Sequence, residues 1–141
     1  METINVVAAI VRNEKQEILL VLRPSNKSFG DYWELPGGKI NDGEKPEKAI
    51  IREIKEELNL YLVNPTFFSH HETIQNDKLI KIETFLSHTN QPRFELKEHQ
   101  DFLWISSIKQ LPMNTIPVDV EILEKYFERN TNDLQNTSSI E

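Results

Sequence analysis

Apolar and polar positions fall into short blocks along the 141-residue chain, and the spacing within a block changes from one to the next. Residues 4–12 (INVVAAIVR) are apolar and β-branched, which predicts a buried strand. The polar stretch NEKQ and a second apolar run, Glu17 to Arg23 (EILLVLR), predict a hairpin. Residues 24–31 (PSNKSFGD) carry Pro, Ser, Asn, Gly and Asp and predict a loop. Tyr32 to Leu35 reads as a short strand running into Pro36-Gly37-Gly38. From Lys45 to Leu58 the spacing becomes helical, with Pro46 in the first turn and Glu47 where a negative charge suits the helix dipole. Residues 62–73 and 78–87 predict two strands around a Gln75-Asn76-Asp77 turn, although alternation in the second is partial. Phe94–Glu98 predicts an extended piece and Phe102–Ile105 a short apolar strand. A brief helix follows to Leu111, capped by Ser106 or Ser107. A second full helix, Val118–Arg129, sets Val120, Leu123 and Phe127 on one stripe. From Asn130 onward the chain is polar. The pattern predicts an α+β fold, a sheet sandwiched by helices (α/β/α), in one domain over residues 1–130, with a frayed tail over 131–141.

Composition narrows the function classes. The hydrophobic share of 38% is ordinary for a soluble globule, and the net charge of −7 argues against sequence-independent binding to a nucleic-acid backbone. A small anionic substrate remains compatible, because a metal ion can supply positive charge locally. No cysteine is present, which excludes disulfides and thiolate chemistry. The N-terminal segment has no basic leader and no apolar run long enough to span a bilayer, so the expected location is cytoplasmic, with no membrane partner.

The acidic content of the first helix is its distinctive feature. Residues advance by about 100° each on a helix, so Glu53, Glu56 and Glu57 (i, i+3, i+4) share one face. Ile51, Ile54 and Leu58 form the adjoining core stripe, and Arg52 can pair with Glu56. Charge runs are usually solvated faces, and like charges at this spacing cost a few tenths of a kcal/mol, at about 0.2–0.5 per pair. A patch of hard oxygen donors is what Mg²⁺ or Mn²⁺ takes as ligands.

The upstream residues decide between these readings. The tract GKINDGEKPEKAIIREIKEELNL, residues 38–60, resembles the Nudix box: Gly, five residues, Glu, seven residues, Arg-Glu, an aliphatic, any residue, Glu-Glu, any residue, Gly, an aliphatic. Every fixed position matches except Asn59, which stands where the pattern has Gly. Asn is the common substitute for Gly in the left-handed cap position, so the departure bears on local stability more than on chemistry. The resemblance covers Ile4 to Tyr126. It implies the Nudix fold and a metal-dependent hydrolase of phosphate anhydrides, with Mg²⁺ or possibly Mn²⁺ as cofactor. Glu56 and Glu57 are then the main metal ligands, joined by Glu53 and a backbone carbonyl of Gly37. Glu53 is a further ligand or the base that orients water, Arg52 holds the carboxylates, and Glu44 supports the loop.

YWELPGGK, EILLVLRP and FLWIS look like the MutT-type branch, which converts nucleoside triphosphates, including oxidised ones, to monophosphate and pyrophosphate. In that resemblance Arg23 contacts substrate, Glu98 reaches the metal or the catalytic water, and Asp119 reads the base edge. Gly38, Lys39 and Lys78 join the substrate-binding set, although the alignment at Lys78 is loose. Leu35 replaces an aromatic of the oxidised-guanine enzyme, and Trp33 or Phe29 could supply a ring instead. His70 and His71 receive no role. Two rivals remain: a Nudix hydrolase of a nucleoside diphosphate linked to another group, such as a dinucleoside polyphosphate or nucleotide sugar, and a catalytically silent sensor. The expected partner is a small nucleotide, and the expected assembly a monomer or homodimer.

Overall fold

The N-terminal apolar run becomes the middle of a mixed seven-stranded sheet. The computed structural model describes residues 1–91 and 93–140, the last ten by backbone alone. In chain order the elements are β1 (Glu2–Arg12), β2 (Ile18–Leu22), β3 (Trp33–Glu34), β4 (Gly37–Lys39), α1 (Pro46–Leu58), β5 (Val63–Gln75), β6 (Lys78–His88), β7 (Phe102–Ile105) and α2 (Pro117–Ile140). The strand order is β3-β2-β1-β6-β5, with β4 also on β1 and β7 also on β2. β1 and β6 run parallel from Glu2↔Lys78 to Arg12↔His88. β5 and β6 form an antiparallel hairpin closed by Asn76 and Asp77, both at positive φ (51° and 60°), the conformation a two-residue hairpin turn requires.

Both faces of the sheet are covered, which explains why β1 reads as continuously apolar instead of alternating. Val7, Ala9 and Val11 pack with Ala49, Ile50, Ile54 and Leu58 of α1. Ala8 and Ile10, on the other face, pack with Ile122, Leu123 and Tyr126 of α2. Each of these side chains is at most 7% exposed, and most are fully enclosed. The two helices are thereby fixed relative to one central strand, and β4 hangs from that strand through Val7↔Gly38 and Ala8↔Gly37.

Several expectations shift by a residue or two. The core stripe of α1 is Ile50, Ile54 and Leu58, with Ile51 only partly buried at its edge. The stripe of α2 runs through Asp119, Ile122, Leu123 and Tyr126, while Val120 and Phe127 are half-buried. Gly37–Lys39, just past the predicted short strand Tyr32–Leu35, is itself strand because β1 offers it an antiparallel edge. Phe94–Glu98, expected as extended, pairs with no strand; it is tied to the end of α1 by Glu95 N–H donating to Leu58 O and Lys97 N–H to Glu57 O. The brief helix is one 3-10 turn, Ile108–Gln110, in which Ser107 and Gln110 form a reciprocal capping box. The backbone of 131–140 continues α2 where the sequence predicts fraying: this stretch contains no Pro or Gly to stop a helix. Glu141 lies outside the described residues.

Asn59 occupies the left-handed region, at φ 51° and ψ 39°, and its N–H caps Lys55 O at 2.9 Å. A side chain is strained there, so Asn59→Gly is expected to raise stability by up to about 1 kcal/mol, read as the urea midpoint, with hydrolysis unchanged.

Candidate active site

Arg52 organises the acidic face of α1. Its Nε and Nη2 donate to the two oxygens of Glu44 at 2.8 and 2.9 Å. Nη1 donates to Glu53 Oε1 at 2.9 Å and to Glu56 Oε2 at 3.2 Å, and Nη2 also reaches the Lys39 carbonyl at 3.0 Å. The Arg52 fork holds the Glu44 carboxyl at about 2, well below the usual carboxylate range, assisted by the Asn41 N–H. One planar guanidinium thus joins the loop before the helix, the helix and β4. Lysine cannot span these partners, so Arg52→Lys is expected to cost about 1–2 kcal/mol by chemical denaturation.

Two carboxylates on this face are poorly compensated. Burial raises the Glu53 carboxyl above its usual value against the opposing pull of Arg52. Glu53 lies directly over Gly38, where a Cβ would run into its carboxylate. Glycine at position 38 is therefore what lets Glu53 reach β4. Glu57 is pushed up to about 8, first by burial and then by the charges of Glu53, Glu34, Glu98 and Glu56. Its Oε2 is buried with no hydrogen-bond partner.

Glu57 opens onto a cleft of about 410 Å³. Gly37, Gly38 and Lys39 of β4 line it together with Glu98, whose charge is felt at Glu57. The far end is apolar, floored by Val6, Ala8, Leu35, Ile80 and Ile82, and bounded by Asp119. Asp119 is 7% exposed; one oxygen accepts the Leu35 N–H at 2.9 Å. Burial pushes its carboxyl up to about 7 despite that bond, and the Glu34 charge adds to the rise. Between the two ends, Arg23 Nη1 donates to Glu34 Oε1 at 2.9 Å, and Glu34 Oε2 meets His99 Nε2 at 3.0 Å. The cleft thus joins a crowded acidic end to an apolar slot with one buried carboxyl, the concave, mostly apolar lining with a few polar groups that small-molecule sites have.

The family described as the NUDIX domain matches residues 2–125. The chain belongs to the Nudix family. Relatives of this Nudix chain include the CTP pyrophosphohydrolase of Escherichia coli, 29% identical over 89% of this chain and 93% of that protein. The 8-oxo-dGTP diphosphatase of the same species is 36% identical, over 53% of this chain and 56% of its own length. Among solved structures, a MutT protein from Methanosarcina mazei Go1 superposes with a TM-score of 0.80 at 30% identity, covering 92% and 96% of the two chains. A MutT Nudix hydrolase from Burkholderia pseudomallei gives 0.78 at 25% identity, covering 88% and 98%.

Within the Nudix fold, the structure brings most of the sequence-identified residues together. Arg23, Gly37, Gly38, Lys39, Glu57, Glu98 and Asp119 line the one cleft, and Glu53 lies against its Gly38 wall. Glu56 is exposed beside Arg52. Lys78 does not line the cleft; it sits at the start of β6, 3.8 Å from Glu2. Its register opposite Glu2 sets it along the strand beyond Ile80, the last residue of β6 on that side to line the cleft. Trp33 is half-buried against the α2 side of the core, and Phe29 lines the cleft. His70 pairs with Glu72 at the surface, away from the cleft. Glu34, His99, Thr73 and Gln75 also line the cleft and were not singled out from sequence. Glu34 could have been found as the residue two before Pro-Gly-Gly, and His99 as the neighbour of Glu98; Thr73 and Gln75 carry no sequence signal.

Nudix hydrolases generally require a divalent metal, and the donor chemistry here fits one. The orphaned Glu57 oxygen, the crowding of Glu53, Glu56 and Glu98 around it and the hard-oxygen character of the set all favour a divalent cation. Among the described residues, no three acidic or histidine side chains already form a cation cage. Arg52 instead draws Glu53 and Glu56 toward itself.

Proposed function

We propose that this chain is a nucleoside triphosphate pyrophosphohydrolase, converting a (d)NTP and water to the monophosphate and pyrophosphate with Mg²⁺ or Mn²⁺. The observation that carries the reading is the buried Glu57 carboxylate, one oxygen of which has no partner, on a cleft whose other end is an apolar slot bounded by Asp119. The similarity to a CTP pyrophosphohydrolase, over 89% of this chain and 93% of that protein, supports the triphosphate as substrate.

Glu56, Glu57, Glu53, the Gly37 carbonyl and Glu98 would hold the cation, whose chemistry when bound is to neutralise phosphate charge and polarise the phosphorus centre. Arg52 keeps Glu53 and Glu56 on one face, and Glu44 keeps Arg52 in place. Glu53, made more basic by burial, and Glu98, at the cleft wall, are the two carboxylates that can take the proton of the attacking water. Val6, Ala8, Leu35, Ile80 and Ile82 exclude water from the ring, and Asp119 meets its polar edge. The retained glutamates weigh against a silent sensor.

The test is a panel of (d)NTPs and oxidised NTPs ranked by kcat/KM, with Asp119→Asn beside the wild type. At least one triphosphate is expected to turn over, and the ranking to change in the variant. An unchanged ranking makes Asp119 only a helix-start acid, and no turnover of any nucleotide with either metal removes the reading.

A further inference from the structure

The cations of the cleft are not equally available to an anionic ligand. Three lysine or arginine residues line it: Arg23, Lys27 and Lys39. Arg23 is partly engaged by the protein: Nη1 donates to Glu34, and Nε donates to the Ser28 carbonyl at 2.8 Å. That second bond braces the loop of residues 24–31 from beneath. The loop is further pinned from both sides. Gln100 Nε2 donates to Arg23 O and to Asp31 Oδ1, each at 2.7 Å, and Asn114 Nδ2 donates to Asp31 O at 2.7 Å. Ser25 Oγ also donates to Asp31 Oδ1 at 2.7 Å. Gly30 lies so close to the Ser25 carbonyl that a Cβ there would collide with it. Phe29 and Asp31 are held at positive φ, 56° and 64°.

Such bracing gives an exposed loop one geometry, so whatever it presents pays little ordering cost on binding. It presents Lys27 and Phe29 to the cleft. Lys27 is exposed, its backbone makes the turn (N–H to Pro24 O, O from Gly30 N–H), and no ion pair engages its ammonium among the described residues. The rest of the lining is rich in acid: Glu34, Glu57, Glu98 and Asp119. Lys39 on β4 is likewise exposed and without an ion pair among the described residues; Lys27 adds a second uncompensated cation, on a braced loop, for a polyanion that must enter past four carboxyls.

We propose that Lys27 is a substrate-contacting residue that binds the polyphosphate end of the nucleotide. This assignment rests on the polyphosphate reading of the cleft. The probe is inorganic tripolyphosphate, which has no base, titrated calorimetrically with Mg²⁺ into wild type, Lys27→Met and Lys27→Arg. Lys27→Met is expected to weaken binding about tenfold, the worth of one charge-assisted contact, and Lys27→Arg to restore it to within about twofold. With the best triphosphate of the panel, Lys27→Met is expected to raise KM by a similar factor and leave kcat within about twofold. Wild-type binding that Lys27→Met leaves unchanged overturns the Lys27 assignment alone. A wild type that binds no tripolyphosphate overturns the assignment and the polyphosphate reading with it.

Discussion

Glu57→Gln is expected to lower kcat by about 10²–10⁴-fold while making the metal-free protein more stable. The two effects have one cause. Glu57 places a carboxylate oxygen in a buried position with no partner, surrounded by the charges of Glu53, Glu34, Glu98 and Glu56. In the unfolded chain that carboxyl ionises near its ordinary value of 4.5; in the fold it ionises at about 8. A raised acid means the folded state binds more protons than the unfolded state between those values. The metal-free protein therefore loses stability as pH rises from about 4.5 through 8. Glutamine removes the charge and most of this loss, and it removes a metal donor at the same time. A structural defect would move activity and stability down together; loss of a buried charge that also serves as a metal donor moves them apart. Glu53→Gln is expected to lose activity comparably, since it removes the carboxylate seated on Gly38. The measurements are initial rates at saturating metal and thermal midpoints across pH in EDTA.

Asp119→Asn is expected to stabilise the protein at pH 8.5 by about 2–4 kcal/mol and to have little effect at pH 4. Asp119 is enclosed, and its carboxyl ionises at about 7 against an ordinary 3.8, chiefly because burial penalises the charge. Each pH unit between the two values is worth about 1.4 kcal/mol, so the full separation is a ceiling that relaxation of the fold reduces. Below pH 3.8 both states are protonated and no penalty exists; above 7 it is complete. Asparagine keeps an oxygen for the Leu35 N–H, now at 2.9 Å, without bringing a charge. The check is urea denaturation of both proteins at pH 4, 6 and 8.5. A stability difference that does not grow with pH would show that Asp119 is not the group that titrates.

What was legible in the sequence was whatever depends on local spacing. The i, i+3, i+4 arrangement of Glu53, Glu56 and Glu57 follows from helical geometry alone, and Asn59 had to be left-handed if α1 ended there. The tract 38–60 also carried the family, since its fixed positions are spaced by a loop and helix that must fold together. Long-range pairing was less legible. Gly37–Lys39 is strand only because β1 lies alongside, and Lys78 falls beyond the cleft lining because parallel pairing sets it opposite Glu2, at the start of both strands. Glu34 and His99 meet across 65 positions, and no local pattern announces their contact. The loop 24–31 read correctly as loop. Its rigidity, supplied by Gln100 and Asn114, is a tertiary property that turn residues do not encode.

The central claim is that this acidic helix and cleft cut a nucleoside triphosphate with the help of a divalent cation. Phosphorus NMR of a (d)NTP digest tests it most directly. The expected spectrum shows equal amounts of nucleoside monophosphate and pyrophosphate with Mg²⁺ or Mn²⁺, and unchanged triphosphate in EDTA. Release of orthophosphate and nucleoside diphosphate, cleavage that persists in EDTA, or intact triphosphate throughout the panel would contradict it.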